Sequence, residues 1–170
     1  MHPTELKVNL FLQNALEGKT TITEEVADKV ASDVRSAMLK QFSGGPRDNF
    51  RLRMSNIGKP TCQLWHQKNK AESKAPYAPH FLINMIIGDI VEAVFKGLLT
   101  ASGIVFGDND TVSLDLGELG KIKGEYDMIL DGAVDDVKSA SNYSFNTRFA
   151  SFEKLIEKDT FGYIPQLVGY

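Results

Sequence analysis

The chain of 170 residues is poor in the side chains that build covalent or metal-linked frameworks. It contains one cysteine, Cys62, and three histidines, His2, His66 and His80. A single thiol excludes an internal disulfide and any zinc or iron-sulfur site built from several cysteines of this chain. The histidines lack the spacing of metal ligands. We therefore expect a protein of a reducing, intracellular compartment without an iron-sulfur cluster.

Long uncharged hydrophobic runs are also missing. The longest apolar stretch, residues 81–99, contains Asp89, Glu92 and Lys96, which argues against a membrane span. The N-terminus has no basic segment followed by an apolar one, so it does not resemble a signal peptide. With 42% hydrophobic and 24% charged residues, the composition predicts one globular domain, and we expect the protein to be soluble.

Charge is unevenly distributed, although the net charge is only -3. Residues 47–74 carry seven Lys or Arg and two acids, a net charge of +5, so the remainder carries -8. This basic segment is either a surface for phosphates or an ordinary solvated surface. Its cations are Arg47, Arg51, Arg53, Lys59, Lys68, Lys70 and Lys74.

Helical periodicity dominates the first hundred residues. Residues 26–38 repeat an apolar side chain every fourth position after Thr21 or Thr23, either of which can cap a helix, and Gly44, Gly45 and Pro46 should end it. Ser55 predicts the start of a short helix through residue 65, and residues 75–79 predict a connector. Residues 80–102 predict a helix that is apolar nearly all round and therefore buried.

From residue 111 the pattern alternates, which predicts strands at 111–116 and 121–130. The sequence Asp131-Gly132 is typical of a tight hairpin turn, so residues 133–139 should return antiparallel. Residues 145–157 predict a helix, and Pro165 predicts the first turn of another. The second strand should place four apolar side chains on one face: Ile122, Tyr126, Met128 and Leu130.

The predicted turn places Asp127 opposite Asp136, and Glu125 opposite Lys138, on one face of the hairpin. Two carboxylates with Cβ atoms roughly 5 Å apart repel each other unless a cation or a proton lies between them. Oxygen ligands without nearby His or Cys predict Mg²⁺ or Mn²⁺. The alternative is a solvent-facing strand pair with ordinary charges.

Glu92 lies among apolar residues of the long helix, where an unpaired carboxylate would be costly. A metal ion would supply the partner it needs. Asp89, one turn earlier, offers the competing interpretation, since either acid can be the one that faces solvent.

The order of these residues resembles the PD-(D/E)XK nuclease superfamily, and most of all its RecB-like and phage-exonuclease branch. The resemblance rests on Glu92 on a helix, Gly124 to Asp127 on a strand, Asp136 to Lys138 on the next, and a Gln-x-x-x-Tyr motif, Gln166 to Tyr170, on a following helix. It covers roughly residues 50–170. Many RecB-like enzymes have a histidine four residues after a glycine of the first core helix, where this chain has Glu92.

The resemblance implies an α/β (α+β) fold with a restriction-endonuclease-like core, in which helices flank a small central mixed sheet. Residues 1–170 would form a single nuclease domain, with a helical extension at 1–46, the basic segment with its short helix at 47–77 and the catalytic core at 78–170. The family core continues with another strand after the Gln-x-x-x-Tyr helix. The sequence is therefore expected to be a fragment, or a compact version that another subunit completes.

The same resemblance implies a Mg²⁺- or Mn²⁺-dependent DNA exonuclease of phage recombination or repair, acting in the host cytoplasm. One or two ions would bind to Glu92, Asp127, Asp136 and the Val137 carbonyl. Lys138 would orient the attacking water, while Gln166 and Tyr170 would position Lys138 or the DNA backbone. The expected phosphate-binding residues are Arg51, Arg53, Ser55 and Lys59.

Two other functions remain open at this stage. One is a catalytically silent DNA-binding accessory module on the same fold, and the other is a site-specific endonuclease, since fold alone does not establish activity. Beside DNA, the expected partners are further copies of the chain or a recombination protein. We expect no membrane partner.

Overall fold

A computed structural model describes residues 2–43, 50–70 and 78–170. Described residues up to 43 and residues 78–106 form one compact unit, here called the helical unit. Residues 50–70 and 107–170 form the second, the mixed unit. The fold is α+β with antiparallel strand pairs. The predicted helix stop at 44–46, the cations Arg47 and Lys74, and residues 75–77 of the connector lie outside the described residues.

Among residues 2–43, 50–70 and 78–170, the elements follow one another with two short 3₁₀ turns and one π-helical turn between them. The 3₁₀ turns are Met54–Asn56 and Gly117–Leu119, and the π-helical turn is Phe145–Phe149. The helices are α1 (Pro3–Leu16), α2 (Glu24–Phe42), α3 (Thr61–Asn69), α4 (Pro79–Ala101), α5 (Asn142–Ser144), α6 (Phe152–Lys158) and α7 (Tyr163–Gly169). The strands are β1 (Phe106–Gly107), β2 (Asp110–Asp115), β3 (Lys121–Tyr126), β4 (Met128–Leu130) and β5 (Ala133–Asp135).

The helical unit packs α2 against α4. Thr23 is the N-cap of α2, as one of the two predicted capping residues, and its hydroxyl accepts the N–H of Val26 at 3.4 Å. Gly97 of α4 lies so close to Val30 of α2 that an added Cβ would collide with it. The two helices are therefore held together by a close approach of backbones and by apolar contact.

The prediction that α4 is buried nearly all round is wrong. Its buried residues are Ile86, Ala93, Gly97 and Leu99, whereas Ile83 is 53% and Ile87 48% exposed. Within the helical unit, α4 packs against α1 and α2. An apolar stripe on the face of α4 that meets these two helices is enough to hold it. No helix in the described ranges is long and apolar enough to cross a membrane.

The mixed unit contains two small antiparallel strand pairs. β2 pairs with β3 from Asp110 opposite Tyr126 to Asp115 opposite Lys121. β4 pairs with β5, with Leu130 opposite Ala133, in a sheet of order β1–β4–β5. The predicted turn is confirmed, because Asp131 and Gly132 both have positive φ, 51° and 82°, as a two-residue hairpin turn requires.

The predicted single strand at 121–130 is interrupted at Asp127, and the two halves pair with different strands. Glu125 lies opposite Thr111 of β2, and the β4–β5 ladder ends at Met128 opposite Asp135, so the prediction that Glu125 lies opposite Lys138 is wrong. The returning strand stops at Asp135 instead of residue 139. The physical reason is that the side chain of Asp127 accepts the N–H of Val137 at 2.7 Å, which replaces a backbone ladder bond. The described strands thus form two small sheets, and one central mixed sheet is not observed.

Two predicted helices of the mixed unit also differ. Ser55 lies inside the 3₁₀ turn and is not an N-cap, and α3 begins only after Pro60, because the residue before a proline is disfavoured in helical conformation. The predicted helix at 145–157 is divided into the π-helical turn and α6, which Ser151 caps. Pro165 does lie in the first turn of α7, as predicted.

Candidate functional site

The carboxylates of Asp127 and Asp136 meet at the open end of the β4–β5 hairpin. The register of that hairpin brings Asp127, just before β4, to the level of Asp136, just after β5. Burial raises the pKa of the Asp127 carboxyl, and the neighbouring Asp136 carboxylate raises it further, whereas the Val137 N–H and the Lys138 ammonium oppose the rise. Two acids share a partly desolvated site, so a cation beside them is strongly stabilised.

Lys138 supplies one such cation. Its ammonium forms an ion pair with the Asp136 carboxylate, whose side chain is only 8% exposed, while Lys138 itself is 36% exposed. The same ammonium lies 5.9 Å from the ring centroid of Tyr163 on α7. Lys138 is therefore anchored by an acid and an aromatic ring, and its side chain is still partly exposed at the surface.

The donor chemistry at the hairpin fits a hard divalent cation. Asp127 and Asp136 offer carboxylate oxygens, and burial together with the neighbouring Asp136 carboxylate raises the pKa of Asp127. The Val137 carbonyl is a third oxygen in the same short segment. Across residues 2–43, 50–70 and 78–170, no three His, Cys, Asp or Glu side chains gather in one metal-binding group. The candidate metal site at the hairpin therefore has two carboxylates, those of Asp127 and Asp136.

Glu92 lies on α4 in the helical unit, and its surroundings differ from the expectation. The carboxylate is 29% exposed and forms an ion pair with Lys96, one turn along the helix, at 2.8 Å. The competing acid, Asp89, accepts a hydrogen bond from Gln41 of α2 at 2.8 Å. Glu92 was expected to need a partner that a metal ion would supply, and in the structure Lys96 is that partner, because the i to i+4 spacing places it beside the carboxylate.

Gln166 and Tyr170 act together, as their spacing on one helix face suggests. The Gln166 amide donates to the Tyr170 hydroxyl at 3.0 Å, and that hydroxyl donates to the backbone carbonyl of Glu125 at 2.6 Å. The Tyr170 ring also packs edge-on against Tyr126, at 6.0 Å between centroids. The pair thus fastens the end of α7 to β3, two residues before Asp127.

Tyr170 also lies within electrostatic reach of the hairpin acids. Burial raises the pKa of its hydroxyl, the Gln166 hydrogen bond opposes the rise, and the charges of Asp136 and Asp127 add to it. The structure therefore places five of the predicted residues in one region of the mixed unit: Asp127, Asp136, Lys138, Gln166 and Tyr170.

A cavity of about 350 Å³ opens beside the Gln166–Tyr170 pair. Three of the four predicted phosphate-binding residues line it, namely Arg51, Arg53 and Ser55, and Lys59 does not. The backbone of Arg53 also pairs with that of Lys123 of β3 in an isolated parallel β-bridge. The lining adds Thr111, Lys123 and Glu125 from β2 and β3. Two guanidiniums and an ammonium against one carboxylate make this cavity suited to an anion.

Met54 and Gly124 bring the walls of the cavity together. Met54 is 1% exposed and sits against Gly124 of β3, where an added Cβ would lie 2.5 Å from Met54 Cγ and 2.7 Å from a ring carbon of Tyr170. Only a residue without a side chain permits both contacts. Arg51 and Arg53 therefore reach the cavity because Met54, directly after Arg53, is buried against β3.

We expect Gly124→Ala to lower the free energy of unfolding by about 1–3 kcal/mol, because the new methyl group overpacks the Met54 contact. Thermal melting measures the loss. Gly107→Ala is the matched control, since its Cβ would lie 3.4 Å from Ile129 Cβ, near ordinary contact. Equal melting temperatures for the two variants would contradict the assigned role of Gly124.

Two residues of this region were not assigned a role from sequence. The alternation of side chains along a strand puts Lys123 on the same face as Glu125 and Asp127. Nothing in the sequence showed that Arg51 and Arg53 lie next to it. Tyr163 stands beside Lys138 only because α7 folds back on the hairpin.

Comparisons with protein-family models, curated proteins and solved structures found no significant match to the chain. The geometry of these residues is therefore what connects the chain to a chemistry.

Proposed function

We propose that the protein is a metal-dependent deoxyribonuclease that hydrolyses DNA phosphodiester bonds, on a restriction-endonuclease-like core of the PD-(D/E)XK type. The observation that carries the proposal is the meeting of Asp127, Asp136 and Lys138 at one hairpin end. A carboxylate pair with an adjacent ammonium is the minimal equipment for metal-assisted phosphodiester hydrolysis. The RecB-like, phage-type exonuclease branch is the closest functional analogy.

The chain's own residues supply distinct parts of this chemistry. A divalent Mg²⁺ or Mn²⁺ held by Asp127, Asp136 and the Val137 carbonyl would lower the pKa of a bound water and neutralise charge on the phosphate. The Lys138 ammonium donates a hydrogen bond that orients the attacking water. Asp136 keeps the ammonium in place through its ion pair.

Substrate positioning is assigned to the anion-binding cavity. Arg51 and Arg53 lie on one wall with Ser55, and Lys123 lies on β3. Arginine matches the geometry of phosphate oxygens through paired N–H donors. The Gln166–Tyr170 pair fixes α7 against β3, so it holds the cavity and the hairpin end in one arrangement.

Cleavage of end-labelled linear DNA and closed circular DNA by the purified protein tests this function. We expect degradation of linear DNA with Mg²⁺ or Mn²⁺, none with EDTA, and resistance of the closed circle if the enzyme works from ends. Cutting of the circle at a fixed site would replace the exonuclease by a site-specific endonuclease. Absence of cleavage with every divalent ion would overturn the nuclease proposal.

A silent DNA-binding module is the rival, and the cavity is the observation that favours it. The cations around the cavity bind phosphate without any metal, so DNA binding alone does not separate the two functions. DNA binding that is unaffected by EDTA, together with intact linear DNA after incubation with Mn²⁺, would support the module.

The basic segment makes a prediction that holds for either function. Arg51→Ala and Arg53→Ala should each weaken DNA binding about equally for all sequences and lower the slope of log affinity against log salt by about 1. Lys59→Ala shows whether DNA extends beyond the cavity. Lys68→Ala, which removes an exposed lysine of α3, is the control. Unchanged affinity and slope in both arginine variants would show that these charges are merely solvated.

A further inference from the structure

Arg148 stands out in the mixed unit as a cation without a counter-charge. It lies in the π-helical turn Phe145–Phe149 and is half-buried. Its Nε is the single buried side-chain donor without a hydrogen-bond partner in the part of the chain that the structure describes, and Arg148 forms no ion pair there. Leaving such a buried donor unpaired destabilises the fold, because the N–H loses its hydrogen bond to water and gains none in the protein. The buried, unpaired Nε of Arg148 therefore needs an explanation.

An aromatic stack connects Arg148 to the region of Lys138. The guanidinium carbon lies 4.9 Å from the ring centroid of Phe161. The Phe161 ring stacks on the Tyr163 ring, with 5.6 Å between the two centroids. Tyr163 in turn is the ring beside the Lys138 ammonium. Burial raises the pKa of the Tyr163 hydroxyl, and the charges of Lys138 and Arg148 both oppose that rise. Both cations therefore act on the same hydroxyl.

The acids near this stack are already engaged. Asp136 pairs with Lys138. The two carboxylate oxygens of Asp159 accept backbone N–H groups of Gly162, Tyr163 and Ile164 at 2.9 Å, at the start of α7. Neither carboxylate forms a hydrogen bond with the guanidinium of Arg148. The stack thus carries a cation that the described residues do not neutralise.

We propose that Arg148 binds a phosphate oxygen of the DNA next to Lys138, as a second cation at the cleavage site; this inference rests on the proposed deoxyribonuclease function. The guanidinium presents several donors in one plane, which suits a phosphate. Phe161 holds that plane by a cation–π contact. The π-helical turn supports the assignment, since such turns occur often at functional sites.

The test compares Arg148→Ala, Arg148→Lys and the control Arg35→Ala, which removes an exposed arginine of α2. Binding of a short DNA duplex is measured in EDTA over a range of salt concentrations. We expect Arg148→Ala to lose about tenfold in affinity and about 1 in the salt slope. Arg148→Lys should keep the slope, and Arg35→Ala should match the wild type. Cleavage in Mn²⁺ should fall further in Arg148→Ala than binding does.

Several results would overturn the inference. An unchanged salt slope in Arg148→Ala, in a protein that binds DNA, shows that Arg148 only packs on Phe161. If Arg148→Ala does not fold, Arg148→Gln replaces it, because glutamine keeps the packing and removes the charge. The expected result is the same loss of about 1 in the salt slope. Phe161→Leu should leave the slope unchanged, and a change of about 1 there would contradict a contact made by Arg148. A wild type that binds DNA but never cleaves it refutes the nuclease, while the slope still decides the role of Arg148.

Discussion

DNA cleavage should fall by about a hundredfold or more when Lys138 is replaced by alanine, while DNA and metal binding persist. The reason is that an ammonium that orients the attacking water stabilises the transition state and not the bound substrate. Single-turnover cleavage of labelled DNA measures the rate, and titrations measure the two binding steps. Lys121→Ala is the matched control, because Lys121 is also a strand lysine paired with an aspartate, Asp115, at 3.3 Å.

Lys138 has a second task that the experiment must separate from catalysis. Its loss leaves the nearly buried Asp136 carboxylate without its partner, so Lys138→Ala is also expected to melt at a lower temperature. Lys138→Arg keeps the charge and should restore the melting temperature without restoring the rate. Full activity in Lys138→Arg, or nearly full activity in Lys138→Ala, would reduce Lys138 to a counter-ion.

Asp127→Asn should abolish both cleavage and the thermal response to divalent cations. In the wild type, Mg²⁺ or Mn²⁺ at a hundred times its dissociation constant should add about 2.7 kcal/mol to the free energy of unfolding, because only the folded chain offers the site. The asparagine can still accept the Val137 N–H, and it relieves the repulsion with Asp136. The variant should therefore be no less stable than the wild type in EDTA.

Asp115→Asn provides the comparison, since Asp115 is an exposed acid of β2. It should leave the thermal response to Mn²⁺ intact. Calorimetry that detects no divalent-ion binding to the wild type, together with an unchanged melting temperature, would contradict the metal site. A response that persists in Asp127→Asn would move the site away from the hairpin.

The hairpin end was predictable because its determinants are local. A two-residue turn at Asp131-Gly132 fixes the register of both flanking strands, and the register brings Asp127 level with Asp136. The alternating pattern also identified buried positions, among them Ile122, Tyr126 and Met128. What it did not show is the interruption at Asp127, since a period of two continues unchanged through a residue whose side chain replaces a ladder bond.

The cavity was only half predictable. The spacing of the cations in the basic segment and the Gln-x-x-x-Tyr motif each indicated a functional residue set, but nothing local places Arg51 beside Tyr170. Their shared position around the cavity depends on Met54 packing against Gly124, and these two residues are far apart in sequence. The environments of Glu92 and Arg148 were missed for a related reason, because charge pairing depends on neighbours that periodicity alone does not identify.

The Tyr170 hydrogen bond to the Glu125 carbonyl has a kinetic consequence. It joins residues 45 positions apart, whereas the hairpin closes through a two-residue turn. Closing a long loop is slower and entropically more costly than closing a short one. The paired acids should therefore form early during refolding, and the anion-binding cavity should appear in a later phase, when α7 docks on β3. Stopped-flow refolding followed by tyrosine fluorescence would resolve the two phases.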